Sequence, residues 1–159
     1  GKSGCAPATA IGGFQVMDRQ TIVEAALELV RAGRAFVFAT VDAEGFPQVR
    51  WMGGAHLEEP LTVYMAAGTD SRKMVQMAAH RQAQLMFQSE DFSRVATLTG
   101  TASAVTDPSV KRRVFAGIPG AANYFAGPDD PKFGVVEFVC SRIEMLGLAD
   151  GMAPAVVDI

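Results

Sequence analysis

Apolar and polar positions first repeat along the chain with a helical period. Ile22, Ala25, Ala26, Leu29 and Val30 share one face of a helix that opens at Thr21 with capping-box spacing, Thr21 to Glu24, and stops at Gly33. Residues 35–41 are apolar at both alternating sets of positions, so this strand must be covered on two sides. Asp42 to Gly45 predicts a hairpin turn in which Gly45 takes positive φ, and residues 46–55 predict the returning strand. A third strand follows over 61–67, then a helix near 70–80 with Met74, Met77 and Ala78 facing inward, then a fourth strand over 84–88. From Arg94 to Thr106 a run of Ala96, Leu98, Gly100, Ala102 and Ala104 alternates with Thr97, Thr99, Thr101 and Ser103. A strand that long with a central glycine should bend, which is how an antiparallel sheet rolls into a barrel.

Asp107 and Pro108 open another helix, with Lys111, Arg112 and Arg113 on its solvated side. Residues 119–131, rich in Gly, Pro and Asp around Tyr124 and Phe125, predict an ordered loop or short helix over something flat. Two more strands are expected over 133–139 and 143–148. Hairpin-linked strands with a few inserted helices predict a mainly β fold, a small antiparallel barrel, in one domain over residues 18–148. A flexible amino-terminal tail over 1–17 and a carboxy-terminal tail over 149–159 are expected to flank it.

Composition narrows the classes. Of 159 residues, 49% are hydrophobic and only 19% charged, against about 25% charged in an average soluble domain. So apolar a chain buries enough surface to fold, and no run of about 18 apolar residues predicts a membrane span. The surplus predicts a second subunit or a flat ligand. A formal charge of −3 offers no field to a nucleic acid. Cys5 and Cys140 are too few and too far apart for a disulfide framework, and residues 1–13 lack a signal-peptide layout. A reducing compartment, the cytoplasm, is therefore expected.

Absences dispose of several chemistries. His56 and His80 lack metalloprotease spacing, no metal site is expected, and neither a Gly-x-Ser-x-Gly elbow nor a dinucleotide or triphosphate loop occurs. No residue has the position of a catalytic acid or base. One segment is electrostatically odd. Arg72 and Lys73 stand in the first turn of the 70–80 helix, where the macrodipole is positive and acids are favoured. A phosphate would fit there, met by backbone N–H groups, the hydroxyls of Thr69 and Ser71, and the two cations. The competing reading has Asp70 capping the helix and both cations in water. A second candidate is Arg50-Trp51-Met52-Gly53-Gly54, whose arginine, single tryptophan and glycine pair suit a planar heterocycle, although Trp51 also suits a core or interface.

Placed in order, these pieces resemble a known family. Residues 39–50, Ala-Thr-Val-Asp-Ala-Glu-Gly-Phe-Pro-Gln-Val-Arg, are similar to the hairpin of the FMN-binding split barrels related to pyridoxamine 5′-phosphate oxidase. Ser71-Arg72-Lys73 resembles that family's flavin-phosphate segment, residues 98–102 its later strand, and residues 124–133 its general stress protein 26 branch. The resemblance spans roughly residues 20–148. It implies an antiparallel split barrel that dimerises around FMN, with Arg50, Trp51 and Met52 along the isoalloxazine, Ala66 and Ala67 touching the flavin, and Ser71, Arg72 and Lys73 clamping its phosphate.

Departures from the vitamin-making oxidases bear on the reaction. Ala55 replaces their lysine, Val95 a flavin-contacting glutamine, and Ala66-Ala67 their tyrosine and threonine, while no carboxy-terminal Trp/Arg segment follows. The implied activity is thus an FMN-dependent oxidoreductase acting on an unidentified small molecule. The alternatives are a non-catalytic flavin or haem module serving stress, and a deazaflavin-dependent reductase.

Overall fold

Asp18 begins the first helix one turn earlier than the Thr21 capping box predicts. Its carboxylate accepts the Gln20 amide at 2.7 Å, capping α1 (Arg19–Ala32) and leaving Thr21 inside the helix, because a short anionic side chain satisfies the first free N–H groups well. The computed structural model describes residues 9–10 (backbone only), 18–147 and 153–159; Cys5 and most of the expected amino-terminal tail lie outside them. Ile22, Ala26, Leu29 and Val30 form the buried stripe of α1. Gly33 ends it in an extended conformation, so a left-handed cap is not its role. A Cβ at Gly33 would lie 2.8 Å from the Phe87 ring, which packs there instead.

The remaining elements follow in order: β1 (Thr9–Ala10), before α1, then β2 (Phe36–Val41), β3 (Pro47–Met52), β4 (His56–Glu58), β5 (Thr62–Gly68), α2 (Arg72–Ala79), β6 (Gln82–Gln88), β7 (Arg94–Val105), α3 (Pro108–Phe115), α4 (Ala121–Tyr124), β8 (Phe133–Gly147) and β9 (Ala155–Asp158). The described strands form one antiparallel sheet in the order β1-β9-β8-β7-β6-β2-β3, with β5 added to β8 and β4 to β5. It is the antiparallel split β-barrel expected from the sequence, with a few helices.

Four expectations need correcting. The two strands expected over 133–148 are one, β8. Thr99 faces Arg142 while Gly100 faces Cys140, so Ser141 is an extra residue and β8 bends without breaking. Gly100 permits this, since a Cβ there would run into the Val139 carbonyl. Within the expected carboxy-terminal tail, β9 pairs with β8 and buries Ala155 and Val157. On α2, Met77 is buried and Met74 half-buried, but Ala78 is exposed; eight residues give this helix only a narrow inward stripe. The strand expected over 46–55 is β3 alone and ends at Met52, short of Gly54 with φ +85; β4 begins only at His56.

Phe36, Phe38, Leu85, Phe87, Leu98 and Phe138 fill the barrel, and a smaller cluster of Tyr64, Val114, Ile118 and Phe133 lies beneath α3 and α4. The outer face of β2, β3 and β6 stays apolar and open. Val49 is 67% exposed, Trp51 66% and Met86 37%, beside half-buried Val37 and Ala39. Among the described residues no helix is long and apolar enough to cross a membrane.

Candidate functional site

Two hairpin partners and a helix build a cationic corner. Pairing of β2 with β3 sets Phe38 opposite Arg50, and alternation turns Arg50 inward while Trp51 points out. The Arg50 guanidinium donates to the Phe38 carbonyl at 3.3 Å, to Thr40 Oγ1 at 2.9 Å and to Gln76 Oε1 at 2.8 Å. Thr40, a buried polar side chain, donates to the same Gln76 oxygen at 2.6 Å. One amide oxygen thereby joins β2, β3 and α2.

Lys73 faces this corner from the first turn of α2. Burial, and next the nearby Arg50 charge, hold its ammonium below the ordinary lysine range. Burial and then Arg72 likewise lower Arg50. Like charges held close together and partly shielded from water are unfavourable unless an anion joins them, and among the described residues none of half-buried Arg50 and Lys73 and exposed Arg72 has a carboxylate partner. Ser71 occupies the N-cap of α2 but makes no side-chain cap, and its Oγ is buried without a hydrogen-bond partner. A buried hydroxyl in that state is uncommon and calls for a ligand or a water. The expected competitor is not seen at the cap, which is Ser71 and not Asp70.

Beside the corner runs an open cleft of about 1040 Å³. Trp51, Met52, Ala66, Ala67 and Lys73 line it, so five of the nine expected cofactor residues converge on one space. Arg50, on β3 and bonded to Gln76 of α2, is not among the lining residues, nor are Ser71 and Arg72, which precede Lys73. Thr69 is exposed and donates its hydroxyl to the Pro131 carbonyl at 3.2 Å, which ties down the following loop.

The remaining wall was less legible. Pro119, Asn123 and Tyr124 belong to it, together with Arg31 and Arg34 near the end of α1. Tyr124 is 84% exposed, and its embedding in a Gly/Pro/Asp-rich stretch was the available signal. Gln76 could have been found from its place three residues after Lys73, on the same face of α2. Arg31 and Arg34 carried no signal. A polar cluster braces this wall: Arg113 donates twice to Glu58, at 3.1 and 3.0 Å, and His56 meets the same carboxylate at 3.0 Å. Arg113 thus holds the Glu58 carboxyl below its usual range. The His56 ring lies flat on Gly117, where a Cβ would sit 2.7 Å from Cε1. Among the described residues no three His, Cys, Asp or Glu side chains form a metal cluster.

The family model described as pyridoxamine 5′-phosphate oxidase matches residues 22–147, most of the chain. The chain belongs to that family. Solved structures place it on the same fold. A Clostridium acetobutylicum protein related to general stress protein 26 superposes with a TM-score of 0.74 at 18% identity, covering 90% of this chain and 97% of its own. General stress protein 26 of Bacillus anthracis gives 0.70 at 16% identity, covering 87% and 98%. A heme binding protein of Mycobacterium smegmatis gives 0.69 at 16%, covering 86% of this chain but 57% of its own. No curated protein is similar enough in sequence to match. Within the pyridoxamine 5′-phosphate oxidase family, then, likeness of fold is strong and likeness of sequence low, and the site must be argued from its own residues.

Proposed function

We propose that this protein is an FMN-binding flavoprotein of general stress protein type, an oxidoreductase whose flavin lies at a homodimer interface. The observation that carries the reading is the buried, unpartnered Ser71 Oγ at the head of α2, where Arg50, Arg72 and Lys73 gather without a carboxylate. A phosphate monoester meets all of these needs: it accepts from the hydroxyl and from free N–H groups of the first turn, and it neutralises the cations. Ser71, Arg72 and Lys73 would hold the phosphate, with Arg50 behind them. Trp51, Met52, Ala66 and Ala67 would line the ring, and Thr69 would keep the loop in place. Bound FMN supplies the electron-transfer chemistry, and the protein supplies position and electrostatics. The open apolar face around Val49, Trp51 and Met86 supports a second subunit that covers it.

Absorbance of the purified protein, with and without added FMN, tests this. FMN should bind tightly and riboflavin, which lacks the phosphate, at least about tenfold more weakly, given that charge-assisted hydrogen bonds contribute about 1.5–3 kcal/mol each. A Lys73→Ala, Arg72→Ala double variant that keeps wild-type FMN affinity would defeat the phosphate clamp. A monomer by light scattering would defeat the interfacial site. The likeness to the mycobacterial heme binding protein favours a second reading, a haem module, and a Soret band on adding haem, with no uptake of FMN, would establish it.

A further inference from the structure

Phe92 is the one non-glycine residue with positive φ among the described residues, at +58, and its side chain is 69% exposed. A bulky side chain is disfavoured in that left-handed conformation, which glycine or asparagine adopts more readily. The turn between β6 and β7 imposes it. The Phe92 amide donates to the Ser89 carbonyl at 3.0 Å, and the Ser89 amide to the Arg94 carbonyl at 2.9 Å. One Asp91 oxygen accepts from the Ser89 hydroxyl at 2.8 Å, the Ser93 amide at 3.0 Å and the Ser93 hydroxyl at 2.7 Å. The Ser93 hydroxyl foremost, then its amide and Ser89, hold the Asp91 carboxyl down to about 2, so these bonds persist at neutral pH. Among the described residues the ring joins neither hydrophobic cluster and no aromatic pair. A rigid turn therefore presents, in a strained backbone, an aromatic side chain that the single chain does not use, and strain of this kind concentrates where a protein makes functional contacts.

The turn closes one end of the open apolar face. Trp51, Val37, Met86 and Thr97 stand side by side across β3, β2, β6 and β7. Gln88 and Val95 make the next row of that face on β6 and β7, and the turn follows directly. On these four strands the outer face carries no charged side chain. A two-fold interface lays a patch on its own copy, where a charge near the axis would meet its like, so a charge-free patch with aromatic side chains is suited to a second copy of this chain. Glu90 and Asp91 immediately precede the ring and disfavour an anionic lipid or nucleic-acid surface. We infer that Phe92 is a docking residue of the homodimer, its ring packed on a second copy of this chain at the end of the interface that covers Trp51 and Met86. The inference rests on the homodimer reading and adds to it a contact outside the sheet. Glu90 lines the cleft, so this contact falls beside the candidate site.

The dissociation constant of the full-length dimer, measured by sedimentation over a dilution series, tests it with Phe92→Asn. Asparagine accepts positive φ, so this variant removes the ring and relieves the turn. Its dimer should dissociate at about tenfold or more higher concentration, the size expected when buried phenyl area is lost from a contact. Its far-ultraviolet circular dichroism should match wild type. Phe92→Leu, still apolar, should fall between the two. A dissociation constant equal to that of wild type overturns the inference and leaves the homodimer standing. A wild-type chain that is monomeric throughout the series overturns the homodimer reading and the inference with it. Loss of folded signal in Phe92→Asn would show that the ring serves its own chain, which overturns the inference as well.

Discussion

Arg50 on β3 donates to Gln76 on α2 across 2.8 Å, and through that amide the hairpin and the helix hold each other. Gln76 is neutral, so it orders the guanidinium without neutralising it. Gln76→Ala should lower stability by about 1–3 kcal/mol, the cost of leaving Thr40 and Arg50 short of an acceptor. Gln76→Glu should act oppositely on two measurements. It should keep or raise the thermal midpoint by pairing with Arg50, yet weaken FMN by supplying an internal anion to a site built for an external one. Tighter FMN binding in the glutamate variant would contradict the cationic-corner account.

The affinity for FMN should depend on pH from two sides. A phosphate monoester completes its ionisation near about pH 6, so affinity should rise through that region. Lys73 must be charged to hold the phosphate, and burial and Arg50 have moved its deprotonation below the ordinary lysine range. Affinity should therefore fall again at a pH lower than an unperturbed lysine would dictate. Riboflavin should show neither limb, and equilibrium titrations across pH compare the two.

Cys140 is buried, and that burial pushes its thiol up from 9.0 to about 11. The native state thus favours the protonated thiol. The associated stability is fully present below pH 9.0 and is lost as pH rises through about 11, as the unfolded chain ionises first. In a Cys5→Ser background the native protein should resist thiol reagents at neutral pH and react only on unfolding. Rapid labelling of the native protein would refute the burial. Cys140→Ala should flatten the alkaline decline in the melting temperature.

Two glycines should respond differently to alanine. At Gly100 the new Cβ would meet the Val139 carbonyl oxygen and lie 2.9 Å from its carbon, both backbone atoms that the β7–β8 ladder fixes. Gly100→Ala should cost about 3 kcal/mol or more, and a melting temperature unchanged from wild type would show that the bulge is not needed. Gly45 has φ +91 with open space around it, so Gly45→Ala should cost only about 1–2 kcal/mol of left-handed strain.

Much of the site was legible because its residues are local in sequence. Ser71, Arg72 and Lys73 stood out because cations do not suit a helix N-terminus, and the tertiary structure adds the buried Ser71 hydroxyl and the approach of Arg50 to that same point. Thr40 was hidden within an apolar strand, and its importance depends on Gln76, thirty-six residues away. The far wall stayed hidden for the same reason: Gly54 touches Pro119, and His56 touches Gly117, only after the sheet has rolled.

Periodicity and turn chemistry act over a few residues, and they suffice for helices, hairpins and the bend at Gly100. Those features the sequence determined by itself. The continuity of β8, the capture of β9 by the sheet and the meeting of Arg31 and Arg34 with Lys73 across one cleft were decided only in the tertiary structure. Long-range strand pairing and shared burial set them, and neither has a local signature, because each residue's partner lies far away along the chain.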